Sequence, residues 1–109
     1  DLFYATLPKS VTTAIALDIG SKFGWEGALI TMMTVTTGIT GAVIAPLVTK
    51  FIKSPVAKGL AIGTASHAVG TAKAIEMGEV EGAMSGLALS LAAISTSFII
   101  PLLLTTILR

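Results

Sequence analysis

Residues 82–108 read GAMSGLALSLAAISTSFIIPLLLTTIL and contain no charged side chain. A second run without charge covers residues 27–49. As helices rising about 1.5 Å per residue, both runs are longer than the roughly 30 Å hydrocarbon layer of a bilayer. Buried helical segments of soluble domains are usually shorter than this. The two runs therefore predict two transmembrane helices.

The composition of the whole chain agrees with a location in a membrane. Apolar residues make up 53% of the 109 residues, charged residues make up 12%, and the mean hydropathy is +0.91. A soluble domain carries about 25% charged residues, because it needs a polar surface. The net charge of +1 is spread over scattered lysines, so we expect no nucleic-acid partner.

Two further segments indicate helices that are interrupted. Residues 1–7 are predicted to end one helix, and Pro8 then breaks the chain before a short helix over residues 9–25. Residues 59–77 are mildly apolar but crowded with glycine and hydroxyl residues. In this second segment we predict two half-helices separated by a break within residues 64–71.

The predicted fold class is therefore all-α, a polytopic bundle of transmembrane helices of which two are interrupted. Residues 1–109 are expected to form a single membrane domain that belongs to a longer protein. We expect the lipid bilayer to surround it, in a multi-pass arrangement in the cell membrane, with a bacterial inner membrane as the favoured compartment.

Charges between the apolar runs predict how the chain crosses the membrane. The connection at residues 50–58 contains three lysines and no acid, so the positive-inside rule places it in the cytoplasm. If residues 59–77 cross, the glutamates at residues 76–81 face outside as a solvated loop, and Arg109 returns to the cytoplasm. A re-entrant hairpin over residues 59–72 is the alternative, and it would leave these glutamates beside the lysines.

The segment at residues 7–13 is a candidate anion site. A proline break followed by hydroxyl residues exposes a helix N-terminus, whose free N–H groups and dipole favour an anion. Lys9 adds a positive charge at the same point. The alternative is a helix start at the membrane interface, with Pro8 in the first turn, Ser10 as N-cap and Lys9 reaching the headgroups.

His67 is the second candidate, because an ionisable residue at membrane depth is a functional-site hypothesis by default. It could relay a proton or, when protonated, bind a carboxylate. The alternative is a neutral histidine that donates to a carbonyl of a neighbouring helix. The predicted substrate-binding residues of both segments are Lys9, Ser10, Thr12, Thr13, Thr64, Ser66, His67, Thr71 and Lys73.

Small residues form stripes on both long runs. Stripes of this kind let helix backbones approach closely in lipid. The first stripe is Thr34, Gly38, Gly41 and Ala45, and the second is Gly82, Gly86, Ser90, Ala93 and Ser97.

No pattern in the chain predicts an enzyme. The glycines at residues 63–71 lack the Gly-Lys-Ser/Thr sequence of a phosphate-binding loop. A single histidine in a chain without cysteine argues against zinc and excludes disulfides. We therefore expect no catalytic residue, no metal and no cofactor.

Three stretches of the sequence together resemble the LrgB/CidB family of membrane proteins. They are Leu7-Pro8-Lys9-Ser10-Val11-Thr12-Thr13, residues 59–67 with 70–74, and residues 78–79, 81–83 and 85–88. The resemblance covers nearly the whole chain and implies that it is the C-terminal half of a family member. One departure is Ala14, where the family pattern leads us to expect proline.

The resemblance implies two possible functions. The family is described as antiholin-like regulators of murein hydrolase activity and cell lysis, which act with a small LrgA/CidA-type membrane partner. A related plastid glycolate/glycerate translocator, and a connection of bacterial members with pyruvate, imply transport of small carboxylates. Homo-oligomers are also expected.

Interrupted helices with polar centres favour transport, because carriers place such elements at the membrane midplane. The leading hypothesis is a secondary carrier for small monocarboxylates such as pyruvate, glycolate or glycerate. Lys9 and the helix start would hold the carboxylate, and His67 with its neighbours would complete the site and couple a proton. The alternative is an antiholin-like regulator that acts through helix–helix contacts on the small-residue stripes.

Overall fold

The structure, a computed structural model, describes the backbone of residues 2–107 and the side chains of residues 3–107. Within this range it is helical without strands. In chain order the helices are α1 (Leu2–Ala5), α2 (Thr13–Lys22), α3 (Gly27–Thr49), α4 (Pro55–Met77) and α5 (Glu79–Ile107). The all-α prediction is confirmed for these residues.

Both predicted apolar helices are present. α3 has the predicted bounds, whereas α5 begins at Glu79 rather than Gly82; Leu108 and Arg109 lie outside the described residues. α3 and α5 are long and apolar enough to cross a bilayer. In the most apolar 18-residue stretch of each helix, however, only 22% (α3) and 17% (α5) is buried within the chain. Apolar surface of this extent needs lipid or further apolar helices to cover it.

The predicted short helix over residues 9–25 is present but shorter, since α2 runs only from Thr13 to Lys22. Residues 6–10 form turns that connect it to α1. Its end is marked by an ion pair between Lys22 and Asp18, with Nζ 2.9 Å from Oδ2. The predicted interruption at Pro8 is therefore observed, and it covers residues 6–12.

α4 is longer than the predicted segment and its break is narrower. Ser54 caps its start by accepting a hydrogen bond from the N–H of Ala57, and Pro55 occupies the first turn, where its missing N–H is tolerated. The helix continues to Met77 with a single non-helical residue, His67. The predicted break over residues 64–71 is thus confined to one residue.

The acidic patch is not the solvated loop that we predicted. Glu76 lies in the last turn of α4, and Gly78 alone connects α4 to α5. Glu79 and Glu81 lie in the first turn of α5, where carboxylates interact favourably with the N-terminal end of the helix dipole.

α4 lies between α5 and α3 and packs most extensively on α5. The α3 stripe is confirmed as a packing face, because Thr34, Gly38 and Ala45 are buried there. On α5 the predicted stripe is wrong beyond its first residue. The buried small residues of α5 are Gly82, Ser85 and Ala88, whereas Gly86 has no neighbour within 4 Å of an added Cβ atom.

Candidate functional site

The break in α4 is centred on His67, whose backbone torsions are φ 40° and ψ −132°. Within residues 2–107, glycine apart, no other residue has a positive φ. Such a backbone costs on the order of 1–3 kcal/mol and persists only where its surroundings hold it. Here the side chain is 3% exposed, and Nε2 lies 3.0 Å from the carbonyl oxygen of Thr34 on α3. Because a carbonyl only accepts, Nε2 is the donor.

This contact has the geometry of the alternative considered for His67, a histidine that donates to a neighbouring helix. It leaves Nδ1 without a hydrogen-bond partner among the described residues. In that range every fully buried side-chain nitrogen and oxygen has a partner, so Nδ1 is not sealed off. The imidazole can hold the break with one nitrogen and exchange a proton at the other.

Glycines on α3 make room for the break. A Cβ atom at Gly38 would lie 2.7 Å from Cε1 of His67, and one at Gly41 would overlap the hydroxyl of Ser66. Real Cβ atoms essentially never approach other atoms so closely, so a side chain at either position would displace the break. The α3 stripe therefore positions the break as well as bringing two helices together.

Thr71 connects the break to α5. Its hydroxyl lies 2.8 Å from the carbonyl oxygen of His67 and 2.8 Å from Oγ of Ser85, which is fully buried. A threonine hydroxyl has one hydrogen, and the carbonyl of His67 can only accept it. Ser85 is therefore the donor in the second bond, so a directed chain runs from Ser85 through Thr71 to the residue at the break.

The other predicted residues of α4 differ in their surroundings. Thr64 is exposed, and its hydroxyl donates to the carbonyl of Leu60. Ser66 is 2% exposed and lines grooves between α3 and α4. Lys73 lies well beyond the break and pairs with Glu76, with Nζ 2.9 Å from Oε2. The structure thus brings Ser66, but not Lys73, to the break.

The segment at residues 7–13 forms an uncapped helix start. Thr12 is the N-cap residue of α2, but its side chain makes no capping hydrogen bond. The N–H groups of residues 13–15 have no partner among the described residues. Lys9 is exposed close by, with Nζ 3.3 Å from Oγ of Ser10. Pro8 and Ser10 precede the helix, so the alternative with Ser10 as N-cap is wrong.

Both polar segments pack against the same face of α3. Val11 belongs to the buried cluster of Ile30, and His67 contacts Thr34, which lies one turn further along. Residues four apart in a helix are separated by about 6 Å along its axis. Among the described residues no hydrogen bond joins the two segments. They are neighbours through α3 rather than through direct contact.

Comparison with known proteins agrees with the quoted motifs. The model of the LrgB-like family matches residues 1–106, which include both polar segments. The chain belongs to the LrgB-like family.

Curated relatives within this family carry opposing names. The holin-like protein CidB of Staphylococcus aureus (strain Mu50) is 36% identical over 106 residues, which cover 95% of this chain and 46% of the relative. The antiholin-like protein LrgB of Bacillus mycoides is 41% identical over 98 residues, which cover 88% of this chain and 43% of the relative. The chain therefore spans about half the length of these relatives. No solved structure matches it.

Several polar residues beside the break of this LrgB-like chain are not recognisable from the sequence alone. The sequence presents Ser85 only within a stretch that resembles the family, and Thr34 only as a small residue of the α3 stripe. Nothing in the sequence marked the partners of the break. The hydroxyl residues of α3 that line the groove next to Ser66 are Thr36, Thr37 and Thr40.

Proposed function

We propose that this chain is half of a multi-pass carrier of the cell membrane for small monocarboxylates such as pyruvate, glycolate and glycerate. One observation carries the proposal: two interrupted elements pack on consecutive turns of α3, at Ile30 and at Thr34. Discontinuous helices of this kind supply substrate and ion sites in secondary transporters, since their ends expose peptide groups.

The start of α2 is the proposed carboxylate site. It offers three free N–H groups at the positive end of a helix dipole, and Lys9 lies exposed beside them. The hydroxyls of Ser10, Thr12 and Thr13 are available to add hydrogen bonds. No acidic residue lies within residues 2–17, so nothing in the described part of this segment competes with a bound anion.

The break at His67 is the proposed second part of the site. Nδ1 of His67 is free to accept a proton, which suits coupling of proton and anion movement. Ser66 directly precedes His67 and Thr71 bonds to its carbonyl, whereas Thr64 and Lys73 lie further along α4 on either side. Substrate contact by each of these residues is part of the proposal.

The length of α4 supports the crossing arrangement over the re-entrant hairpin. α4 contains 23 residues, or about 35 Å of helix, and joins the lysines at residues 50–58 to the glutamates at residues 76–81. The two charged ends are therefore on opposite sides of the bilayer in our proposal, with the lysines in the cytoplasm.

Uptake of labelled pyruvate and glycolate by proteoliposomes that contain the full-length protein tests the proposal. We expect uptake above that of empty liposomes, with competition by unlabelled glycerate. Because His67 is proposed to couple a proton, an inward proton gradient should raise the initial rate. Absence of uptake for all three acids, with protein correctly inserted, would rule out the carrier.

Replacing Lys9 with glutamine should raise the KM for pyruvate roughly tenfold or more, because a hydrogen bond to a charged group contributes about 1.5–3 kcal/mol. Lys22→Gln is the matched control, since Lys22 lies at the other end of α2 and pairs with Asp18. Initial rates of uptake over a range of pyruvate concentrations give the KM of each variant. An equal KM in the two variants would place the carboxylate elsewhere.

A regulator of murein hydrolase activity and cell lysis is the second candidate. The names of the relatives favour it, as do the apolar surfaces of α3 and α5 that the chain leaves exposed. This role would work through homo-oligomers or a small LrgA/CidA-type membrane protein that packs on the exposed apolar helices. Altered lysis in cells whose protein shows no uptake, together with co-purification of that small partner, would favour the regulator.

A further inference from the structure

Beside the break, a shallow groove of about 370 Å³ runs between α3 and α4. Thr36, Thr37 and Thr40 line it from α3 and Ser66 lines it from α4, and the rest of its lining is apolar, namely Met33, Ile44 and Ala65. Gly41 forms its floor, since any side chain there would meet the hydroxyl of Ser66. These residues lie near the middle of α3, so in a spanning helix the groove opens close to the centre of the bilayer.

The hydroxyls of this groove differ from those elsewhere on α3. Threonines in helices commonly donate to the carbonyl four residues earlier. On α3 such bonds are made by Thr31, Thr34, Thr37 and Thr49. Thr36 and Thr40 make no hydrogen bond among the described residues, and they lie one turn apart on the same face.

Ser66 supplies a third free hydroxyl. The residue is 2% exposed and its hydroxyl has no partner in the described part of the chain. Because every fully buried polar side-chain atom there has a partner, the hydroxyl of Ser66 is accessible, from this groove or from the neighbouring one that Ser66 also lines. Three unpaired hydroxyls therefore line one groove next to His67, at a depth where the hydrocarbon of lipid offers no hydrogen bonds.

The chemistry of the groove selects a particular kind of group. Uncharged hydroxyls both donate and accept, so they suit a neutral hydroxyl or keto oxygen better than they balance a carboxylate. We propose that Thr36 and Thr40, with Ser66, bind the neutral oxygen of the transported acid as it passes the break. This inference rests on the proposed carrier function. The groove would then distinguish acids that carry a hydroxyl or keto oxygen from acids that have only their carboxylate.

Competition assays with the full-length protein in proteoliposomes test the groove. Uptake of labelled glycerate is measured against unlabelled glycerate and against propionate, which has no oxygen beyond its carboxylate. The ratio of the two inhibition constants should favour glycerate in the wild type. In the Thr36→Val, Thr40→Val variant the preference should fall roughly tenfold, because each lost hydrogen bond reduces affinity by a few-fold.

Thr37→Val is the matched control, because its hydroxyl also lines the groove but already donates to the carbonyl of Met33 at 2.7 Å. Inhibition by propionate should stay unchanged in all variants. If the double variant fails to reach the membrane, Thr40→Val alone should lower the preference about threefold. An unchanged preference in variants that retain uptake, or an equal fall in Thr37→Val, would overturn the inference.

A failure of the proposed carrier function can be distinguished from a failure of the proposed groove. If the wild type takes up no acid, the proposed function is wrong, and the groove is then tested by binding. Glycerate should raise the melting temperature of the detergent-solubilised full-length protein, and propionate should raise it less. Loss of that difference in the double variant supports the groove, whereas the absence of any shift with glycerate in the wild type refutes it.

Discussion

Replacing His67 with glutamine is expected to leave the full-length protein folded while lowering its uptake of pyruvate roughly tenfold or more, because proton transfer by a positioned side chain contributes at least that much. Glutamine carries the same backbone strain as any residue with a Cβ atom, and its amide nitrogen reaches about as far from Cα as Nε2 of histidine, so it can donate to the carbonyl of Thr34. It cannot accept a proton near neutral pH. The variant therefore separates the two roles of the imidazole, and initial rates with and without a proton gradient measure the loss.

The same position has a second measurable consequence. In an ordinary helix, alanine is more stable than glycine by about 1 kcal/mol. At His67 the order should be reversed, with His67→Gly more stable than His67→Ala by about 1 kcal/mol or more, because glycine relieves the backbone at φ 40°. Both variants lose the same hydrogen bond, so the difference isolates the backbone. Thermal unfolding in detergent provides the comparison.

Two outcomes would contradict this account of His67. Wild-type uptake by His67→Gln, with an unchanged response to a proton gradient, would reduce the histidine to a structural donor. The usual order, alanine above glycine, would mean that residue 67 is helical in the protein and that α4 is continuous. The first result concerns the proposed function alone, whereas the second concerns the fold.

The sequence predicted α3 and α5 because charge and length decide which segments suit a bilayer. It could not place the break in α4, because it presents Gly63 and Gly70 as the residues that should interrupt a helix. Both lie inside α4 and are buried. They serve close packing, and the interruption falls on His67, which a contact from another helix holds in place. Local propensity contains no information about that contact.

Only part of the candidate site could be predicted, again because the sequence does not show which helices come into contact. The helix start after Pro8 follows from local chemistry, namely a proline break, a lysine and hydroxyl residues, but the missing cap at Thr12 does not, since threonine is a favourable N-cap residue. Thr36 and Thr40 sit in an apolar run, where threonine ordinarily bonds to its own helix. Only the position of α4 shows that these two face a groove shared with Ser66. On α5, likewise, the packing face follows from how α4 lies against it.

Replacing Gly63 with alanine is expected to destabilise the protein by about 3 kcal/mol or more, near the upper end of the range for overpacking a core. A Cβ atom at this position would lie 2.9 Å from Cα of Ser85 and closer still to its carbonyl oxygen. These are main-chain atoms of α5, so no rotamer change can relieve the overlap. The melting temperature in detergent and the amount of protein inserted into membranes measure the loss.

Gly86→Ala is the matched control, since a Cβ atom there has no neighbour within 4 Å. It should be neutral or more stable by up to about 1 kcal/mol, because alanine is the better helix former. Equal melting temperatures for Gly63→Ala and Gly86→Ala would mean that α4 and α5 do not approach as closely as the structure has them.

The Gly63 variant should also damage the site, because α4 and α5 can accommodate a methyl group only by separating. Separation would lengthen the bond between Thr71 and Ser85, which joins the same two helices two turns further along α4. Ser85→Gly should not rescue the variant, because the overlap involves the main chain of Ser85 and the change also removes this hydrogen bond. Recovery of stability in the double variant Gly63→Ala, Ser85→Gly would instead assign the overlap to the serine side chain and contradict the packing described.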